Sequence, residues 1–221
     1  MYPITIIGLG ASDIDQLSVG IYRKMKEASY IIARTKEHPV VAQLKEEQID
    51  MDSFDAIYEQ HDAFDAVYET IVERLIALSE ERHVTYAVPG HPLVAERTVQ
   101  LLIEKEREGL IQLNIIGGNS FLDPIFAALK IDPIDGFQLL DGTDLSKDDV
   151  NMTQHILIGQ VYDAFIASEV KLALMEKYAY DHSVTIVTAA GSSAEQLTVV
   201  PLYELDRETE VNNVTTVYVP P

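Results

Sequence analysis

The sequence predicts an α/β protein of two α/β domains, the first with a mainly parallel sheet and the second with a mixed one. Three observations predict it. Strand-like and helix-like runs alternate through the first half, which implies a parallel sheet covered on both faces. Turns rich in glycine or small residues close several of the strand-like runs, at 8–11, 89–94, 117–121 and 189–191. After Gly117-Gly118-Asn119-Ser120 the alternation breaks down and strands crowd together. The boundary is therefore placed at this turn, giving an α/β domain over 1–116 and an α+β domain over 117–221.

The elements follow in order. Ile4-Thr5-Ile6-Ile7 is a β-branched strand ending in Gly8-Leu9-Gly10. Ser18 is a good N-cap for a helix to about Ala28, with Ile21 and Met25 on one face. Tyr30–Ala33 reads as a strand and Val40–Glu47 as a short helix. Phe64, Val67, Ile71, Leu75 and Leu78 recur at helical spacing, so Ala63–Glu81 is a long amphipathic helix. A strand at 84–88, a helix at 95–108 stopped by Gly109, and a strand at 113–116 complete the first half. In the second half, Phe121–Leu129 and Ser168–Tyr178 read as helices. Strands are expected at 137–140, 155–158, 184–188, 198–205 and 214–219, the last two paired antiparallel.

Composition excludes several classes. There are 16 Lys and Arg against 36 Asp and Glu, a formal charge of −20. Phosphate backbones and anionic membranes need clustered cations, so neither nucleic acid nor a membrane surface is an expected partner. Without cysteine there is no disulfide, thiolate metal site or cysteine nucleophile. No apolar run approaches the roughly 20 residues that span a bilayer. The start, Met1-Tyr2-Pro3-Ile4, lacks the basic flank of a signal peptide. A cytoplasmic protein is expected.

The most informative stretch is Val88-Pro89-Gly90-His91-Pro92-Leu93-Val94, a stiff turn at the carboxyl end of a strand. Such ends are where open α/β sheets bind small molecules. Its prolines fix φ, and its glycine lets a ligand approach the main chain. Gly8-x-Gly10 falls short of a dinucleotide fingerprint. Asp13 stands where the third glycine belongs, and Arg34-Thr35 replace the acidic residue after the second strand. The histidines at 38, 61, 83, 91, 155 and 182 show no paired ligand spacing, so no metal site is expected. Glu69, Glu73, Glu80 and Glu81 read as a solvated face rather than a magnesium cluster, since no acidic helix follows to face them. No nucleophile elbow or Walker lysine occurs. Arg97 is the cation nearest in sequence to the 89–94 turn.

These pieces together resemble the tetrapyrrole (corrin/porphyrin) methylase family. Ile6-Ile7-Gly8-Leu9-Gly10 resembles its opening segment, and Gly90-His91-Pro92-Leu93-Val94 its Gly-Asp-Pro loop, with His91 in place of the aspartate. Gly118-Asn119-Ser120-Phe121 resembles its serine-bearing loop. Ala190–Gln196 with Leu202–Leu205 resembles its late region. The resemblance implies two α/β domains of the tetrapyrrole methylase type with S-adenosyl-L-methionine in the cleft between them. It implies a homodimer and methyl transfer to a small-molecule acceptor, tetrapyrrole-like in the family. By the same carry-over Ala11, Gly90, His91, Val94, Ser120, Phe121, Ile158 and Ala190 line the cofactor pocket, and no catalytic side chain is assigned. The charge of −20 argues against a carboxylate-rich tetrapyrrole. More narrowly, the chain resembles the amino-terminal methylase-like domain of proteins that also carry a MazG-type nucleotide pyrophosphohydrolase domain, the ending Thr215–Pro221 being similar to the junction. That likeness implies an alternative, a non-catalytic module that binds S-adenosylmethionine or a related nucleoside and regulates an attached hydrolase.

Overall fold

A computed structural model describes residues 1–61, 63–207 and 211–221. Among them the chain divides into two compact units, Met1–Phe121 and Leu122–Pro221. The Gly117-Gly118 turn lies inside the first unit, because its backbone packs on Gly8 and Asn119 bonds the Gln16 carbonyl.

The first unit contains β1 (Ile4–Gly8), α1 (Val19–Glu27), β2 (Ile31–Ala33), α2 (Pro39–Glu46), β3 (Asp52–Ser53), α3 (Asp55–Tyr58), α4 (Phe64–Glu81), β4 (Val84–Val88), α5 (Arg97–Arg107) and β5 (Leu113–Gly117). Its strands pair in the order β3-β2-β4-β1-β5, all parallel. Alternate side chains of each strand point to opposite faces. Ile4, Ile6, Ile32, Val84, Tyr86 and Val88 share one core with Val67, Ile71 and Leu75 of α4 and Val99 and Leu102 of α5. Ile7, Ile31, Ala33 and Ala87 share another with Ile21 and Met25 of α1 and Val40, Val41 and Leu44 of α2. Two apolar faces need two helical layers, which is why these strands read as nearly continuous apolar runs.

Phe64 departs from the predicted stripe. It is 68% exposed and stacks on Tyr68 at the first turn of α4, while Val67, Ile71, Val72 and Leu75 carry the buried face. Glu69, Glu73, Glu80 and Glu81 are all exposed.

The second unit contains α6 (Leu122–Leu129), β6 (Phe137–Asp141), β7 (His155–Gly159), α7 (Ala164–Met175), β8 (Ser183–Thr188), β9 (Gln196–Pro201) and β10 (Thr215–Val219). The strand order is β6-β7-β10-β8-β9, with β6 and β7 parallel and the other pairs antiparallel. The sheet is mixed, as the crowding of strands predicts. The last two strands do not pair with each other: both flank β8. The hairpin through 189–195 joins β8 to β9 locally, and buried Leu202 and Leu205 draw the chain into the core before β10 begins. Helix α7 starts at Ala164, four residues before Ser168, because the Asp163 side chain caps it by accepting from the Ile166 N–H.

Candidate functional site

Neighbouring strands β1 and β4 lead to opposite edges of the first sheet, toward β2 and β5 respectively. An open α/β sheet binds ligands beyond the carboxyl ends of strands at such a point. Three turns meet there within the first unit. A Cβ at Gly8 would fall 2.2 Å from the Gly90 oxygen, 3.0 Å from Pro92 Cδ and 3.2 Å from the Gly117 oxygen. A Cβ at Gly118 would fall 2.8 Å from Gly8 Cα. Main chain therefore lies on main chain, and glycine is the residue that permits it.

Two residues on, Gly10 and Gly90 form an isolated antiparallel bridge. Gly10 N–H donates to Gly90 at 3.2 Å, and Gly90 N–H donates to Gly10 at 2.8 Å. Gly90 has φ +65°, and a Cβ there would meet nothing within 4 Å. Its flank is open while its backbone is pinned.

The 89–94 turn is closed by its own histidine. His91 Nδ1 accepts the Leu93 N–H at 3.1 Å, and the His91 carbonyl accepts the Val94 N–H at 3.0 Å. With Nδ1 occupied as an acceptor, the neutral ring carries its hydrogen on Nε2. That nitrogen lies beside Gly117, 3.3 Å from where a Cβ would stand.

The turn leads through Ala95, held at φ +52°, to Glu96, the N-cap of α5. Glu96 is 5% exposed. Its Oε1 accepts from Thr98 N at 3.3 Å and Thr98 Oγ1 at 2.7 Å, and with that hydrogen committed the Tyr86 hydroxyl donates to Thr98 Oγ1 at 2.9 Å. Burial pushes the Tyr86 phenol far above its ordinary range, so it stays neutral. Glu96 Oε2 lies 3.1 Å from Arg34 Nε, an ion contact rather than an aligned hydrogen bond. Arg34 Nη1 donates to the Tyr58 hydroxyl at 3.2 Å. On the other side of the bridge, His38 Nε2 donates to the Gly10 carbonyl at 2.9 Å while its Nδ1 accepts the Val40 N–H at 3.3 Å. Burial lowers the His38 pKa from its ordinary 6.5, and Arg34 nearby adds to this against the opposing Gly10 bond.

Of the expected pocket residues, Ala11, Gly90, His91, Val94, Ser120 and Phe121 all fall in the three turns of the first unit and are partly buried. Ile158 and Ala190 belong to the second unit. The Ile158 side chain has no exposed surface and packs in that unit's core. Ala190 follows Ala189, which has φ +50°, in a turn tied by Ser192 Oγ to the Ala189 carbonyl and by Gly191 N–H to Glu195. The sequence reading misses Arg34, His38 and Glu96 as parts of the site. Arg97, the cation it places nearest the turn, is exposed and lies 3.9 Å from Glu104, whereas Arg34 is the cation set against the turn's exit. Among the described residues no group of three His, Asp or Glu could hold a metal ion, and no helix is long and apolar enough to cross a membrane.

Residues 3–206 match the family described as Tetrapyrrole (Corrin/Porphyrin) Methylases. A Bacillus subtilis (strain 168) relative, "Uncharacterized protein YabN", is 51% identical over 218 residues, which cover 99% of this chain and 45% of that protein. The chain thus spans less than half the length of this curated relative. Among solved structures, a uroporphyrin-III C-methyltransferase from Thermus thermophilus is similar with TM-score 0.76 at 18% identity, over 100% of this chain and 94% of the other. A diphthine synthase is similar with TM-score 0.68 at 19% identity, over 98% and 89%. At these identities the two structures establish the fold.

Proposed function

The chain belongs to the tetrapyrrole (corrin/porphyrin) methylase family, and from that premise we propose that it is an S-adenosylmethionine-dependent methyltransferase acting on a small-molecule acceptor. The observation that carries this reading is the meeting of the three glycine turns at the carboxyl edge of the first sheet. The fit rests on Gly90, whose flank is open on a backbone pinned to Gly10 by both its N–H and its carbonyl. Gly90, His91, Val94, Ala11, Ser120 and Phe121 would hold the cofactor, and Ile158 and Ala190 of the second unit belong to the same proposal, Ile158 through its main chain. When bound, S-adenosylmethionine supplies an activated methyl group on a cationic sulfur.

The chain's own contribution is then alignment. Rigid turns fix the donor's position relative to the acceptor, and orientation of this kind accounts for much of the acceleration in a bimolecular transfer. His91 contributes a donor at Nε2. Held in this way it is no general base, because one ring nitrogen already accepts and the other carries the hydrogen. A cytoplasmic homodimer is part of the same proposal. Light scattering near twice the 24.7 kDa chain mass would support the dimer, and a monomer mass at micromolar concentration would remove it.

Calorimetry with S-adenosylhomocysteine tests the binding reading. Saturable heat is expected, with about 2.7 kcal/mol of stabilisation at 100 times the dissociation constant. No heat and no shift in melting temperature at millimolar ligand would overturn it. One observation favours a second reading: more than half of the YabN relative lies outside the match. In that reading the chain binds the cofactor without turnover and regulates a further domain, of MazG pyrophosphohydrolase type. Binding without transfer to any tested acceptor, together with a ligand effect on the longer protein's hydrolase, would favour it.

A further inference from the structure

Both ligand turns are gripped from behind by one five-residue segment. Residues 34–38 leave the carboxyl end of β2, and Arg34 N–H still donates to Ala87 of β4 at 2.9 Å. Arg34 reaches Glu96 at the exit of the β4 turn, and four residues later His38 reaches Gly10 in the β1 turn. The segment is itself anchored. Lys36 N–H donates to Asp55 at 3.0 Å, Glu37 N–H to Thr35 Oγ1 at 3.0 Å, and Arg34 to Tyr58, so α3 backs it from the far side. The two turns meet each other through the Gly10–Gly90 bridge, the Leu9 N–H to Val88 bond and the packing at Gly8.

We propose that residues 34–38 are a brace that sets the separation of the β1 and β4 turns, with Arg34 and His38 as positioning residues for the ligand held there. Arg34 acts through Glu96, and His38 acts through the Gly10 carbonyl. The effect on ligand affinity rests on the cofactor reading above; the effect on the turns does not. The brace also gives α3 a purpose, since Asp55 and Tyr58 at its two ends are the anchor residues.

His38 does two jobs with two nitrogens, and two substitutions separate them. His38→Gln places an amide N–H near the former Nε2 and keeps the reach to Gly10, but loses the cap on Val40. His38→Asn is a good N-cap and keeps the acceptor for Val40, but falls short of Gly10. The experiment measures the S-adenosylhomocysteine dissociation constant, amide exchange at Gly90 in the ligand-free chain, and melting temperature for the parent and both variants. The brace predicts that His38→Asn melts only a few degrees below the parent, as loss of one hydrogen bond requires, yet binds about tenfold more weakly and exchanges Gly90 about tenfold faster. It predicts that His38→Gln melts lower yet keeps affinity and Gly90 protection. Affinity that follows melting temperature in both variants, or an unchanged His38→Asn, would overturn the proposal. If the parent binds no S-adenosylhomocysteine, the cofactor reading fails, and Gly90 exchange alone decides the brace. If His38→Asn does not fold, Arg34→Lys loosens the other grip, since lysine lacks the fork that meets Glu96 and Tyr58 together. Unchanged Gly90 exchange in that variant would then overturn the brace.

Discussion

Gly8 and Gly90 are both glycines at the ligand edge, yet they are required for different reasons. At Gly8 the obstacle is matter: an added Cβ would lie 2.2 Å from a backbone oxygen that cannot rotate away. At Gly90 the space is open and the obstacle is the +65° φ, which costs an L-residue about 1–2 kcal/mol. Gly8→Ala should therefore destabilise by about 3 kcal/mol, the upper end for forced overpacking, and Gly90→Ala by about 1 kcal/mol. Urea unfolding of the two variants checks the order, and a larger loss at Gly90 would contradict it. Gly90→Ala should also weaken S-adenosylhomocysteine binding beyond its effect on stability, because its methyl group would occupy the open flank. Neither distinction is legible in the sequence, where both positions are simply glycines after a strand. What lies behind Gly8 is decided by Gly90, 82 residues along the chain.

Helix α5 joins the ligand turn to the sheet, and its N-cap is a buried carboxylate rather than the usual serine, threonine or aspartate. Glu96→Gln keeps an acceptor for Thr98 and removes the charge facing Arg34. Stripping one partner from a fully buried pair costs about 3–5 kcal/mol. Arg34 keeps 24% of its side-chain surface exposed, so about 2 kcal/mol is expected. Thermal unfolding checks this, and a neutral result would make the pair an ornament of the turn. Helix α2 carries a different signature at its N-cap. His38 is neutral in the fold, with a pKa depressed below 6.5 by burial and by Arg34. The unfolded chain takes up the proton first, so the stability it contributes is present above about pH 6.5 and is lost as pH falls from there toward the folded value. The urea midpoint of the parent should fall more steeply between pH 7.5 and 5.5 than that of His38→Asn; equal slopes would contradict the assignment. At this scale the first unit was nearly all legible, because two-sided burial writes strands as apolar runs and helices as stripes. In that unit β3 and α3 were not legible, and in the second the start of α7 and the partner of β10 were not. The two-residue Asp52-Ser53 strand has no apolar signal. The start of α7 is blurred because Phe165 and Leu172 on its outer side are as apolar as its core face. The partner of β10 depends on a hairpin closing elsewhere. The candidate turns were visible as glycine-rich strand ends, while their support was not, since Arg34 meets Glu96 and His38 meets Gly10 across 62 and 28 residues.

At the scale of the whole molecule the charge of −20 is the dominant fact, and the structure shows how it is spread. The acidic run of α4 lies in solvent, with Glu69, Glu73, Glu80 and Glu81 all exposed, and no three acids or histidines converge among the described residues. Diffuse like charge destabilises a compact state through self-repulsion, and salt screens it over a Debye length of about 10 Å at 0.1 M. The melting temperature at pH 7.5 should thus rise with added sodium chloride. A bound divalent ion acts differently, since it stabilises by mass action at its own concentration. Magnesium at matched ionic strength should raise the melting temperature no more than sodium does. The same distribution bears on nucleotide chemistry. Pyrophosphate release from a nucleoside triphosphate needs magnesium held by carboxylates from facing elements, so that the metal bridges the phosphates. Helix α4 offers carboxylates on one side only, turned to solvent. This chain should release no pyrophosphate from nucleoside triphosphates with magnesium or manganese, whatever a longer relative does. A measurable rate that falls when Glu69 and Glu73 become glutamine, together with a magnesium-specific rise in melting temperature, would show that the solvated face of α4 is a metal site.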